Sequence, residues 1–131
     1  MSFAYNPTFY PPFPVLPVVL RVFEGQSSDK LPALIDTGAD VTFVPATLLR
    51  RLRAQDSHAA RVRSHWGEWR VVTIFVIDIE VAGETLPAVD VIADEQGDMI
   101  LLGRSVLNRL LLLLDGPGRQ TDVLTRRPVR F

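Results

Sequence analysis

The stretch Ala33–Pro45, ALIDTGADVTFVP, places one ionisable side chain, Asp36, directly after an apolar run with the composition of a buried strand. A carboxylate at such a position is costly unless it is paired, hydrogen-bonded or partly hydrated. Gly38 allows the chain to turn sharply and bring backbone N–H groups near the carboxylate, Thr37 adds a hydroxyl group, and Ala39 leaves space alongside. The stretch therefore predicts a reactive loop between two strands, with a plain turn as the alternative.

The bulk composition is that of one domain with balanced charge. The chain has 131 residues, with 14 basic and 15 acidic side chains, a net charge of -1 and no cysteine. This length is sufficient to bury a core, and the absence of cysteine excludes disulfides, thiolate nucleophiles and cysteine metal ligands. We therefore expect a single domain over residues 1–131 that does not bind nucleic acid.

Apolar segments near both ends of the sequence do not have the features of membrane spans or targeting signals. The N-terminal residues lack a basic start, and prolines interrupt their apolar run. The run Leu110–Leu114 is too short to cross a bilayer. These features favour a soluble cytoplasmic protein without a membrane partner.

Short apolar segments separated by turn sequences predict many strands and two short helices, which together indicate a mostly β, closed or sandwiched domain. A Pro- and aromatic-rich stretch at residues 1–13 is expected to be an extended arm packed on the domain. A hairpin is expected over Arg61–Arg70, with its tip near His65, Trp66 and Gly67. The predicted helices are Ala46–Ala54 and Arg104–Leu111. The other predicted strands are Val15–Phe23, Leu31–Asp36, Val41–Pro45, Val71–Gly83, Leu86–Ala93, Met99–Gly103, Leu112–Asp115 and Thr121–Phe131.

An aspartate held in such a loop is suited to acid–base chemistry on a water molecule. Hydrolysis of an amide needs a base for the water and an acid for the carbonyl oxygen, and two carboxylates that share one proton supply both. The sequence has a single Asp-Thr-Gly, at Asp36–Gly38. The second carboxylate must therefore come from a second copy of the chain, which predicts a twofold homodimer.

Two segments together resemble the retropepsins, the retroviral-type aspartic proteases. They are LIDTGAD, Leu34–Asp40, and MILLGRSVLNRLLLLLDG, Met99–Gly116. The resemblance covers roughly Leu31 to Gly116, and the sequence after the second segment is more similar to small bacterial members. It implies a closed β-barrel with one or two short helices, equivalent to half of an acid protease and active as a homodimer.

The resemblance also implies which residues perform the reaction. Asp36 matches the catalytic aspartate, and Thr37 matches the threonine that bridges the two active-site loops of the dimer. Gly38 matches the residue whose carbonyl group accepts a hydrogen bond from the substrate. No metal ion or organic cofactor is implied.

Further positions match residues that bind substrate or support the loop. Ala39 and Asp40 match residues that line the peptide site. Arg104, which follows a structural glycine at Gly103, matches the arginine that pairs with the aspartate at position 40. An arginine and an aspartate so placed form a charge-assisted pair.

The predicted hairpin lies where the family has its flap, the element that closes over bound peptide and excludes bulk water. We refer to residues 61–72 as the flap hairpin, in which His65, Trp66 and Gly67 are the expected substrate contacts. It departs from the glycine-rich viral flap because Gly67 is accompanied by Trp66 and Trp69. For the tryptophans, ordinary hairpin packing is the alternative to substrate contact.

Other residues are assigned a structural rather than a chemical role. His58 and His65 are interpreted as solvated loop residues because neither has a second histidine at metal-ligand spacing. The segment Asp94–Asp98 is interpreted as a solvated turn, since it lacks the alternating ligands of a calcium loop. The run Leu110–Leu114 is expected to be a buried strand, with a dimer interface as the alternative.

These features predict an aspartic endopeptidase that hydrolyses peptide or protein substrates with two Asp36 carboxylates, one from each subunit. The alternative is a catalytically silent or dedicated-substrate relative that uses the same groove to bind peptides. The intact DTGAD favours the enzyme, because a peptide-binding groove does not require a pair of buried acids.

Overall fold

The computed structural model describes residues 1–23, 26–63 and 67–129, and within these ranges the chain forms ten strands and two short helices. The strands are β1 (Ser2–Ala4), β2 (Val15–Arg21), β3 (Leu31–Ile35), β4 (Thr42–Pro45), β5 (Asp56–Arg63), β6 (Trp69–Val81), β7 (Glu84–Asp94), β8 (Ile100–Leu102), β9 (Leu111–Asp115) and β10 (Gln120–Leu124). The helices are α1 (Ala46–Arg51) and α2 (Arg104–Leu107). The mostly β architecture with two short helices is confirmed.

Six of the strands close into a barrel. The strand order is β2-β3-β8-β4-β7-β6, and the pairing of β2 with β6 closes the circle, while β5 extends the sheet beyond β6. Side chains alternate between the inside and the outside, as in β2, where Leu16, Val18 and Leu20 are at most 1% exposed and the residues between them are partly exposed. The barrel interior is therefore the hydrophobic core, and the closed β-barrel prediction is confirmed.

The position of β8 determines where the Asp36 loop lies. Strand β8 is parallel to β3 on one side and antiparallel to β4 on the other, where Leu101 is opposite Phe43. Because β3 and β4 lie on either side of β8, the loop that joins them must cross the end of β8. That crossing brings the segment after Ile35 against the segment after Leu102.

The two ends of the chain form a separate three-stranded sheet, in the order β1-β10-β9. The predicted N-terminal arm packs on the domain through β1, which pairs with β10, and a bridge between Asn6 and Phe13 folds the arm back on itself. The prediction of a buried strand at Leu110–Leu114 was wrong: β9 lies outside the barrel, and Leu113 and Leu114 are 37% and 45% exposed. The predicted last strand also ends at Leu124 rather than at the end of the chain, before an exposed stretch with two arginines and a proline.

Several predicted boundaries differ from the structure for local reasons. The expected Gly-Glu-Thr turn is a two-residue hairpin turn at Ala82–Gly83, where both residues have positive φ, at 50° and 82°. Helix α1 ends at Arg51, before Arg53 at φ 60°, and α2 ends at Leu107 because β9 begins four residues later.

Candidate functional site

The carboxylate of Asp36 is held by the loop that follows β3. The backbone N–H of Asp36 donates to the carbonyl of Leu102 at 3.0 Å, which fixes the loop on the end of β8. The Asp36 Oδ1 atom accepts a hydrogen bond from the N–H of Gly38 at 2.9 Å, and the residue is partly exposed. One carboxylate oxygen is thus oriented by the backbone, and the side chain remains open to solvent on the loop.

Gly38 leaves the space that this carboxylate occupies. A Cβ atom on Gly38 would lie 3.2 Å from Asp36 Oδ1, tighter than an ordinary contact, whereas the φ angle of Gly38 is not in the left-handed region. The predicted proximity of a backbone N–H to the carboxylate is therefore observed. The glycine is required for close approach rather than for an unusual turn.

Arg104 joins the two halves of the loop, as the sequence suggested. Its Nη1 donates to the carbonyl of Thr37 at 2.7 Å, and its Nη2 donates to the carboxylate of Asp40. Its backbone N–H donates to the carbonyl of Ala39 at 2.8 Å. Because the guanidinium group is planar and presents several donors, one side chain ties both ends of the loop.

Gly103 allows the loop to lie directly on the chain after β8. A Cβ atom at this position would lie 2.0 Å from the carbonyl oxygen of Val41 and 2.9 Å from that of Ala39. The backbone here is extended, at φ -91° and ψ -175°. Gly103 is thus required by the close approach of two backbone segments, which no larger residue permits.

Thr42 and Ser105 belong to this support, and the sequence analysis did not identify either. Thr42 is fully buried, and its Oγ1 accepts the N–H of Gly103 at 3.2 Å and lies 3.0 Å from Ser105 Oγ. The sequence signal for Thr42 was a hydroxyl side chain inside an apolar strand, because a buried hydroxyl group needs a hydrogen-bond partner.

A groove of about 1020 Å³ runs alongside the loop. Its lining comes from three places: loop residues 38–41 with Phe43, flap residues 62–63 and 69–73, and residues 92–96 at the end of β7. Ala39 and Asp40, the expected substrate contacts on the loop, therefore line one wall. The groove is open to the surface, and a peptide segment could enter it from solvent.

The flap hairpin is formed by β5 and β6, which pair with Arg63 opposite Trp69. Gly67 lies at the tip with φ 84°, and the predicted contacts His65 and Trp66 lie outside the described residues. Trp69 is 58% exposed, lines the groove, and has the Arg61 guanidinium 5.2 Å from its ring centroid.

Neither a metal cluster nor a membrane span is found in the part of the chain that the structure describes. No three His, Cys, Asp or Glu side chains within it are grouped as metal ligands. Within the same ranges, neither helix has the length and apolar character needed to cross a membrane.

Comparison with known proteins relates the chain to one protein family. The sequence profile of the family described as gag-polyprotein putative aspartyl protease matches residues 24–109, about two thirds of the chain. No curated protein sequence is similar to the chain at a significant level.

Solved structures share the fold at low sequence identity. The retropepsin-like aspartic protease from Rickettsia conorii is 15% identical over 94% of this chain and 88% of its own, with a TM-score of 0.66. The simian foamy virus protease is 22% identical over 72% and 91%, with a TM-score of 0.54. The retroviral protease-like domain of Ddi1 from Leishmania major is 18% identical over 86% and 90%, with a TM-score of 0.52.

Proposed function

Because the chain belongs to the family of gag-polyprotein putative aspartyl proteases, we propose that it is an aspartic endopeptidase that acts as a twofold homodimer. The observation that carries the proposal is the solvent-accessible Asp36, held by the Gly38 N–H on a loop that borders a peptide-sized groove. A plain turn would not need the Arg104 and Gly103 contacts that fix this loop in place.

In the proposed reaction, the two Asp36 carboxylates of the dimer share one proton and hold a water molecule between them. The unprotonated carboxylate takes a proton from the water, whose oxygen attacks the peptide carbonyl carbon. The protonated carboxylate gives its proton to the carbonyl oxygen. Proton transfer to the amine then breaks the C–N bond.

The residues around Asp36 have supporting roles in this proposal. Thr37 links the two loops across the twofold axis. The substrate lies extended in the groove, with main-chain hydrogen bonds to Gly38 and Asp40 and side chains beside Ala39. The flap hairpin, including His65, Trp66 and Gly67, closes over the peptide and excludes water. The hydrogen bonds from Arg104 to Thr37 and Asp40, which we call the clamp, keep the loop in one geometry.

The exposed apolar side chains of the terminal sheet support the homodimer. Met1 is 71% exposed, and Leu113 and Leu114 on β9 are also exposed on the β1-β10-β9 sheet. Apolar residues on a surface sheet favour burial against a partner. The single Asp36 of each chain then becomes one half of a shared site.

Mass spectrometry of a diverse peptide library, incubated with the wild type and with Asp36→Asn from acidic to neutral pH, tests the proposal. The asparagine retains an oxygen that accepts the Gly38 N–H, so we expect the fold and dimer to persist while every cut disappears. Cuts that persist in Asp36→Asn would refute the mechanism. A dimeric wild type that binds peptides and cuts none would favour the peptide-binding alternative.

Mixing the two proteins tests whether the site is shared. At concentrations where dimers are saturated, addition of an equal amount of Asp36→Asn to the wild type should roughly halve the activity, because half of the wild-type chains enter mixed dimers. Serum albumin at the same mass is the control. Activity unaffected by the variant would show that each chain acts alone.

A further inference from the structure

Several residues that line the groove share one face of the sheet, and that face ends at a positive charge. Phe43 is the Cα partner of Ile92, and Ile92 is the partner of Ile74 on β6. Partner residues lie on the same face of a sheet, and so do residues two apart along a strand. The face therefore continues from Ile74 through Val72 to Arg70.

Of the groove-lining residues on this face of the flap hairpin, Val62 and Val72 are apolar and Arg70 is charged. Val62 lies opposite Arg70, and both line the groove together with Val72. Val62 and Val72 are partly buried, whereas Arg70 is exposed. A substrate side chain that enters this part of the groove would contact Val62 and Val72 first and the guanidinium group of Arg70 at its end.

The carboxylates around the groove already have partners. Asp40 is ion-paired with Arg104, and Glu95 lies 3.5 Å from Arg50. The remaining carboxylate, on Asp94, accepts the N–H groups of the two residues at positions 96 and 97, at 3.0 and 2.9 Å. These acids are therefore poor candidates for binding a basic substrate side chain.

The arginines of the groove differ from these acids. Among residues 1–23, 26–63 and 67–129, neither the side chain of Arg63 nor that of Arg70 has a hydrogen-bond or ion-pair partner. The Arg63 guanidinium lies at the hairpin tip, since a Cβ on Gly67 would be 3.4 Å from its Nη2. Arg70 is the one of the two that lies on the groove face defined by Phe43 and Ile92.

We propose that Arg70 is a specificity-determining residue that binds an acidic side chain of the substrate, with glutamate favoured over aspartate. The methylene groups of glutamate would pack over Val62 and Val72, and its carboxylate would accept two parallel hydrogen bonds from the guanidinium group. The inference rests on the proposed function, because it assigns a substrate preference to the same groove.

Affinity selection measures this recognition without turnover. A random hexapeptide pool is captured on Asp36→Asn protein, and mass spectrometry gives the enrichment of each residue at each position. We expect glutamate to be enriched over glutamine by about threefold or more at one position, and the enrichment to disappear with Arg70→Gln in the same background. Arg61→Gln is the matched control, because Arg61 is on the same hairpin and carries the same charge but does not line the groove.

Cleavage kinetics give a second readout. For paired peptides that differ only by Glu or Gln at the selected position, the wild-type ratio of kcat/KM should be about tenfold. It should fall to about one in Arg70→Gln, and the preference should weaken as salt rises from about 0.05 to 0.5 M. Arg70→Glu should favour lysine at that position.

The outcomes separate the two proposals. If the wild type cuts no peptide but Asp36→Asn still selects glutamate through Arg70, the proposed protease activity is refuted and the proposed binding role of Arg70 is kept. Cleavage without an acidic preference, or a preference that survives Arg70→Gln, overturns the role of Arg70. Loss of the preference in Arg61→Gln as well would point to net charge of the hairpin and would also overturn it.

Discussion

Replacement of Gly103 by alanine tests whether the Asp36 loop is held by direct backbone contact. The new Cβ would lie 2.0 Å from the Val41 carbonyl oxygen and 2.5 Å from its carbonyl carbon. Ordinary contact begins near 3.4 Å, so the two backbone segments must separate by more than about 1 Å. The extended φ of -91° is open to alanine, so any loss of stability comes from this clash alone.

The expected loss is at the upper end of the range for overpacked sites, about 3 kcal/mol. Separation of the segments also weakens two hydrogen bonds, from the Gly103 N–H to Thr42 and from the Arg104 N–H to Ala39. Movement of the backbone that relieves the clash therefore also lowers the stability of the fold. For a domain of this size, a loss of about 3 kcal/mol lowers Tm by roughly 10 °C.

Circular dichroism during thermal and urea unfolding measures this effect, with all proteins at one concentration because dimer formation contributes to stability. Gly116→Ala is the matched control, since no heavy atom lies within 4 Å of its added Cβ. We expect the control to stay within about 0.5 kcal/mol of the wild type. A Gly103→Ala protein as stable as this control would refute the close-approach argument.

Two further changes test the support of the loop. Arg104→Lys cannot reach both acceptors of the guanidinium group, so kcat/KM should fall at least about tenfold with a small change in Tm. The control Arg109→Lys, which alters an arginine bonded to the carbonyl of residue 87, should retain activity, and equal losses in both would contradict the clamp. Thr42→Val removes a buried hydroxyl with two partners and should cost about 1–3 kcal/mol in urea unfolding, whereas Thr47→Val, at an exposed helix position, should cost much less. Equal midpoints for the two threonine variants would show that the buried hydroxyl does not stabilise the fold.

The loop could be predicted because its chemistry is local: Asp36, Thr37 and Gly38 are adjacent in sequence. The pairing of Asp40 with Arg104, 64 residues apart, followed from a second motif that resembles the same family. The apolar strand pattern alone indicated a closed or sandwiched β domain, and the resemblance to retropepsins selected the closed barrel. In the described residues, the contacts of Arg104 with Thr37 and Asp40 bring the two motifs together at one loop.

The remaining features depend on the tertiary context. A leucine run indicates burial, but β9 lies in a small sheet outside the barrel, where Leu113 and Leu114 are exposed. The role of Thr42 depends on Ser105, which is 63 residues away, and no local pattern links the two. The groove face from Phe43 to Arg70 depends on the register of three strands, which the sequence does not specify residue by residue.

The crossing of the Asp36 loop over the end of β8 also determines when the site can form. The four side-chain bonds that hold the loop join residues 61 to 67 positions apart. Contacts of such long range form late, because the chain must first close a large loop. During synthesis, Asp36 leaves the ribosome well before Arg104, so a growing chain carries the aspartate without its clamp. The arrangement of this loop is therefore a property of the finished barrel, and the order in which the contacts arise leaves the loop unassembled in a nascent chain.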